Sequence, residues 1–158
     1  MPASAYTPAA RKAAEAAPLR DPEAPWKVFI AYENVQTGQE ALRILGSVGR
    51  RLEAPELSYP ALWRFDLLED PNWRDSATAD ALQADLIVIS GSSGRELSAS
   101  VQDWLHACLA QKCGSAAGVL AMFGSADHPE APDSPRIQFL ESAVNEAGLD
   151  FFAPSNRR

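Results

Sequence analysis

A three-layer, doubly wound α/β fold, built on a five-stranded parallel sheet in the order 2-1-3-4-5, is predicted by three observations. Short apolar runs alternate along the chain with stretches of helical periodicity, and each connection is long enough for a crossover. Two runs, Val28-Phe-Ile-Ala-Tyr32 and Leu86-Ile-Val-Ile89, are apolar on both alternating sides, as strands covered on both faces must be. A third, Ala61-Leu-Trp-Arg-Phe-Asp-Leu-Leu68, alternates around Arg64 and Asp66, the pattern of an edge strand with one wetter face. For five strands this places strand 2 at an edge and strands 1 and 3 side by side in the middle.

Taken in order, Trp26 to Tyr32 is the first strand, ending in Glu33-Asn34. The first helix is expected over Val35 to Leu52, with Ala41, Leu42, Leu45, Val48 and Leu52 as its buried stripe. The second strand is expected over Ala61 to Leu68, and a helix from near Pro71 to Gln83, because Asp followed by Pro opens helices well. The third strand ends in Ser90-Gly-Ser-Ser-Gly94, and the next helix, Leu97 to Lys112, carries Val101, Trp104, Leu105, Cys108 and Leu109 on one face. Gly118 to Phe123 is the fourth strand. Ser134-Pro135 caps a last helix with Ile137, Leu140, Val144 and Ala147 as its stripe, and Leu149 to Ala153 is the fifth strand. Five strands and four helices fill one domain, residues 25–154, between an Ala/Pro-rich extension at 1–24 expected to be disordered and a short tail at 155–158.

Composition narrows the function classes. The formal net charge of −7 repels phosphate backbones and anionic lipid, so nucleic acid is not expected as a partner. No run approaches the roughly 18 apolar residues of a membrane span, and residues 1–24 lack the apolar core of a secretory signal. Cys108 and Cys113 are the only cysteines, at a spacing that fits neither a disulfide framework nor a zinc site, and read as reduced thiols of a cytoplasmic protein. Two histidines and one clustered acid give no metal site, and no cofactor is expected.

Ligands of doubly wound sheets bind beyond the carboxyl ends of the strands. The candidate ligand-binding residues are therefore Glu33 and Asn34 after strand 1, Ser90, Gly91, Ser92, Ser93 and Gly94 after strand 3, and Ser125 and Asp127 after strand 4. Ser90 to Gly94 could cradle an anion on free N–H groups, with Arg95 adding charge, or serve only as a turn and helix cap. Glu33 and Asn34 could serve a ligand or cap the first helix. His128 beside Asp127 in a Pro-rich loop is expected to be solvated, and Ser90 to Gly94 lacks the G-x-S-x-G spacing of a nucleophile elbow, so no catalytic residue is assigned. Trp63, Trp73 and Trp104 are expected as packing anchors, with an exposed Trp73 marking a partner surface.

This layout resembles a response-regulator receiver domain over roughly residues 26 to 154. Receivers hold magnesium on acids after strand 1, accept phosphate on an Asp ending strand 3, and use a Ser or Thr after strand 4 and a Lys after strand 5. Here strand 1 ends in Glu33-Asn34, Ser90 stands at the strand 3 position, Ser125 follows strand 4, and the only lysines are Lys12, Lys27 and Lys112. The resemblance thus implies a degenerate receiver, with too few carboxylates for magnesium and no aspartyl phosphorylation. Thr37-Gly38 is faintly similar to the phosphate loop of flavodoxins, whose sheet order is the same, but the loop has a single hydroxyl where that family has several, and Glu33 is an acid that would oppose a phosphate. Val28 to Tyr32 and Leu86 to Ser90 are similar to strands of Toll/interleukin-receptor-like domains. The enzymatic members of that group carry a glutamate on the helix after strand 3, where this chain has only Asp103.

The expected function is a non-catalytic, receiver-like regulatory module with a protein partner. One alternative is a binder or enzyme for a phosphate-bearing ligand, nucleotide or flavin at the strand 3 loop. Another is a scaffolding subunit that forms a homo-oligomer.

Overall fold

Five strands build one sheet: β1 (Val28–Tyr32), β2 (Ala61–Arg64), β3 (Leu86–Gly91), β4 (Gly118–Phe123) and β5 (Asp150–Phe152). The computed structural model describes residues 27–51, 60–92, 96–124, 131 and 133–153. The strand order is β2-β1-β3-β4-β5 and every pair is parallel, as predicted. Phe29 pairs with Ile87, and Ile89 with Ala121, so the most apolar runs lie in the middle of the sheet. The expected extension at 1–24, the tail at 155–158 and Trp26 lie outside the described residues.

Among the described residues five helices pack on the two faces: α1 (Val35–Arg51), α2 (Phe65–Leu68), α3 (Pro71–Leu82), α4 (Ala99–Gln111) and α5 (Pro135–Glu146). Successive strand residues point to opposite faces. Phe29, Ala31, Ile87, Ile89, Val119, Ala121 and Phe123 therefore meet α2 to α5, whereas Val28, Ile30, Val88 and Met122 pack with Ala41 and Leu45 of α1. The larger layer is anchored by Trp104, which stacks on Phe29 at 5.6 Å between ring centroids and donates its indole N–H to Thr78 Oγ1 at 2.9 Å.

Three elements differ from their sequence-based expectations. The second strand stops at Arg64, and Phe65 to Leu68 turns into α2, so the described residues hold five helices where four were expected. Phe65 and Leu68 stand three apart, a spacing that brings both to one side of a helical turn, and Leu68 is completely buried there. Leu42 is 40% exposed, because the buried stripe of α1 centres on Ala41 and Leu45, and Leu42 lies about 100° around the helix from Ala41. The side chain of Val48 and the whole of Leu52 lie outside the described residues. Finally, β5 is only three residues long.

Helix ends follow the capping signals. Asp70 accepts from Asn72 N–H ahead of Pro71, Ser98 accepts from Val101 N–H, and Ser134 accepts from Ile137 N–H ahead of Pro135. Gly114 and Gly148 adopt φ of 81° and 75° just past α4 and α5. Lys112 is buried below α4, with its ammonium donating to the carbonyls of Leu82 and Ala84 at 3.0 and 2.9 Å. Those carbonyls belong to the end of α3 and the turn after it, where a cation is favoured. Burial draws the Lys112 ammonium below its ordinary pKa. Among the described residues no helix is long and apolar enough to cross a membrane.

The two cysteines are free and differ in exposure. Burial pushes the Cys108 thiol up to about 11 from its ordinary 9.0, with Lys112 acting in the opposite sense. Thiol-reactive reagents should modify Cys113 rapidly in the native protein and both cysteines only after denaturation, as counted by intact mass. Because the folded chain keeps the Cys108 proton that the unfolded chain releases, stability should hold below pH 9.0 and fall as pH rises towards about 11. Urea melts of the wild type and Cys108→Ala should diverge over that interval, by roughly 2 kcal/mol at its upper end; parallel profiles would exclude the burial effect.

Candidate functional site

The carboxyl ends of β1 and β3 carry the site, and strand parity sorts their side chains. Glu33 follows Phe29 and Ala31 towards the α2–α5 face, while Ser90 follows Leu86 and Val88 towards α1. Ser90 is only 2% exposed, and its hydroxyl donates to the carbonyl of Thr37 in the first turn of α1 at 2.9 Å. It therefore does not join Glu33 in an open pocket, contrary to the shared placement expected from the strand ends.

Asn34 caps α1. Its Oδ1 accepts from Thr37 N–H at 3.0 Å, and Thr37 Oγ1 accepts from Asn34 N–H at 3.0 Å, a reciprocal capping arrangement. Thr37 Oγ1 also accepts from Glu33 N–H and donates to Asn34 O. Gly38 leaves room for the Tyr32 ring beside this turn, since a Cβ there would sit 3.0 Å from it and the ring would have to shift. Of the two polar residues after β1, Asn34 is a cap and Glu33 is not.

Glu33 reaches across to the loop after β3. Ser92 donates both its N–H and its hydroxyl to Glu33 Oε1, at 2.9 and 2.8 Å. Gly91 makes that approach feasible, because a Cβ there would sit 3.3 Å from both Glu33 Oε1 and the Phe123 ring. Arg136, in the first turn of α5, donates to the carbonyl of Ser92 and lies 4.0 Å over the Phe123 ring. Arg136 is 5% exposed, a cation held inside the corner by a carbonyl and an aromatic face. Ser93, Gly94, Ser125 and Asp127 lie outside the described residues, as do Arg95 and His128.

Beside this corner lies a hollow of about 230 Å³. It is lined by the apolar Phe65, Leu97 and Val101, by Ser98, by the acidic residues Glu33, Asp66, Glu69 and Glu96, and by Arg136. Side-chain hydrogen bonding from Arg64, with Nε donating to Oδ1 at 2.8 Å, holds the Asp66 carboxyl below its ordinary range. Glu69 accepts from the Ser98 hydroxyl at 2.6 Å, tying the end of α2 to the cap of α4. Among the described residues no group of three His, Cys, Asp or Glu is placed to hold a metal ion. The hollow is smaller than the roughly 300 Å³ at the lower end for small-molecule pockets. Its scale fits a side chain better than a nucleotide, and its charge opposes phosphate.

Sequence reasoning missed Arg136, Phe123, and Asp66 and Glu69 in and just after α2 as site residues. Arg136 did leave a signal, since a basic residue in the first turn of a helix opposes the macrodipole and needs a local partner. Trp63 anchors β2 to α3 by donating to Asp80 Oδ2 at 2.9 Å, while Trp73, packed against it, remains 48% exposed.

Ser90→Ala should lower stability by about 1 to 2 kcal/mol, the cost of a buried hydroxyl bond whose carbonyl acceptor is left behind. Asn34→Ala should cost about 1 kcal/mol as a lost cap. Because both act on the first turn of α1, the double variant should fall short of the sum, as read by urea denaturation; full additivity would mean that the two bonds are uncoupled. Compared with known proteins, the chain matches no family model and none of the curated sequences.

Proposed function

We propose that the chain is a non-catalytic, receiver-like regulatory module that acts through contact with another protein. The observation that carries this reading is the fate of Ser90, which stands where a receiver has its phosphate-accepting carboxylate. Its side chain is buried against α1 and bonded to Thr37 O, so the position offers no group to a phosphoryl donor. The lysines support the same reading. Lys27 precedes β1 and Lys112 precedes β4, so both stand at the end of the sheet opposite the site, and Lys12 lies outside the described residues.

The strand-end hollow is the favoured contact surface. A hollow lined by three apolar residues and by four acidic residues against one arginine suits a lysine or arginine side chain from a partner, whose stem can bury while its charge meets the acids. A phosphate-bearing ligand at Ser90 to Gly94 draws less support. The Ser92 N–H that such a ligand would use already serves Glu33, and the surrounding acids repel a dianion.

Two measurements test the proposal. After incubation with acetyl phosphate and magnesium, intact mass should show unmodified protein, and a phosphoryl adduct would overturn the non-catalytic reading. Affinity capture with the wild type and with Glu96→Lys, compared quantitatively, should recover partners on the wild type that charge reversal depletes at least several-fold. Identical recovery on both baits would remove the hollow as the contact surface, and a nucleotide or flavin copurifying with the wild type would replace the proposal altogether.

A further inference from the structure

The two faces of the sheet are covered unequally. Among the described residues α2 to α5 pack on one face, whereas α1 alone lies on the other, over Val28 and Ile30 of β1, Val88 of β3 and Met122 of β4. Parallel sheets are stable with both faces covered, and a single helix leaves the margins of a five-stranded face bare. The exposed apolar side chains record this. Of the five large ones among the described residues, Trp73 belongs to α3, and the other four, Val35, Leu42, Leu62 and Phe152, belong to the α1 layer. Leu62 is in register with Ile30 and Phe152 with Leu120, so both share the face that α1 covers in part.

Three of these four form one patch. Val35 and Leu42 stand seven apart and share a flank of α1, about a quarter turn from the buried stripe of Ala41 and Leu45. A right-handed β1–α1–β2 crossover turns that flank towards β2, where Leu62 is exposed on the edge strand. Phe152 lies at the opposite edge, on β5. Charge beside the patch is balanced, with Arg43 paired to Glu40 and Arg64 to Asp66, each at 2.8 Å, and Gln36 and Gln39 are neutral.

We propose that Val35, Leu42 and Leu62 form a two-fold interface with a second copy of this chain. The formal net charge of −7 selects that occupant. A basic partner is drawn to the acidic surfaces, whereas an identical copy is repelled by them and approaches closely where charge is balanced. In a two-fold contact the same residues serve both subunits, so the flank of each α1 and the edge of each β2 cover one another. Pairing also shields an apolar edge strand that otherwise invites non-specific association. The strand-end hollow is lined from the other face of the sheet, so this interface and the proposed contact surface can fail separately.

Sedimentation equilibrium of the full chain tests the interface. The wild type should dimerise at micromolar concentration, and sodium chloride should tighten the dimer by screening repulsion between copies. Leu42→Glu and Leu62→Glu should each weaken dimerisation at least about tenfold, because each substitution enters the interface twice. Circular dichroism should show both variants folded, and if either is not, Leu42→Gln and Leu62→Thr should give the same weakening. Phe152→Glu, at the far edge, should sediment as the wild type does. A wild type that stays monomeric at high micromolar concentration would overturn the proposal and leave the patch to residues 1–24 or to a different protein. So would a dimer that survives both substitutions, one broken equally by Phe152→Glu, or one that salt dissociates.

Discussion

A side chain leaves a strand on one of two faces, and at the tops of β1 and β3 that alternation decides what the corner can do. Glu33 shares parity with Phe29 and Ala31 and emerges on the side of α4 and α5. Ser90 shares parity with Val88 and emerges under α1, where the Thr37 carbonyl awaits it. Residues that are neighbours across the β1–β3 ladder are thus assigned to different layers. One stabilises the packing of α1 on the sheet, and the other faces the hollow.

The second constraint is electrostatic. A cation at the start of a helix is opposed by the backbone N–H groups around it, so Arg136 can be buried there only with compensation. The Ser92 carbonyl and the Phe123 face provide part of it, and the acidic walls of the hollow supply a favourable field. Glu33 in turn satisfies two donors of the half-buried Ser92. Among the described residues Glu33, Ser92, Arg136 and Phe123 hold one another, so Ser92 serves the protein's own contacts.

Much of the fold was legible because burial on both faces demands continuous apolar strands, and Leu86 to Ile89 can hardly be read otherwise. Edge placement of β2 was legible from Leu62, Trp63 and Arg64, yet the same alternation overran into Phe65 to Leu68, where apolar residues three apart satisfy a helical turn equally well. The site was half legible. Parity alone separates Glu33 from Ser90, but which face carries α1 and which carries α4 and α5 is fixed by the crossovers, and no local pattern records that. Arg136 lies more than a hundred residues from Glu33 in sequence, and their meeting depends on the position of β4 between β3 and β5.

The Ser90 hydroxyl has a consequence for motion as well as for chemistry. Helix ends usually open by local fraying, so their amides exchange with solvent long before the molecule unfolds. The first turn of α1 is held by the Asn34–Thr37 pair, by the Gly38 N–H bonded to Asn34 O, and by a hydroxyl from the central strand of the sheet. Opening that turn means detaching it from β3. The Gly38 amide should therefore exchange on the timescale of global unfolding, making a helix terminus one of the slowest clocks in the molecule.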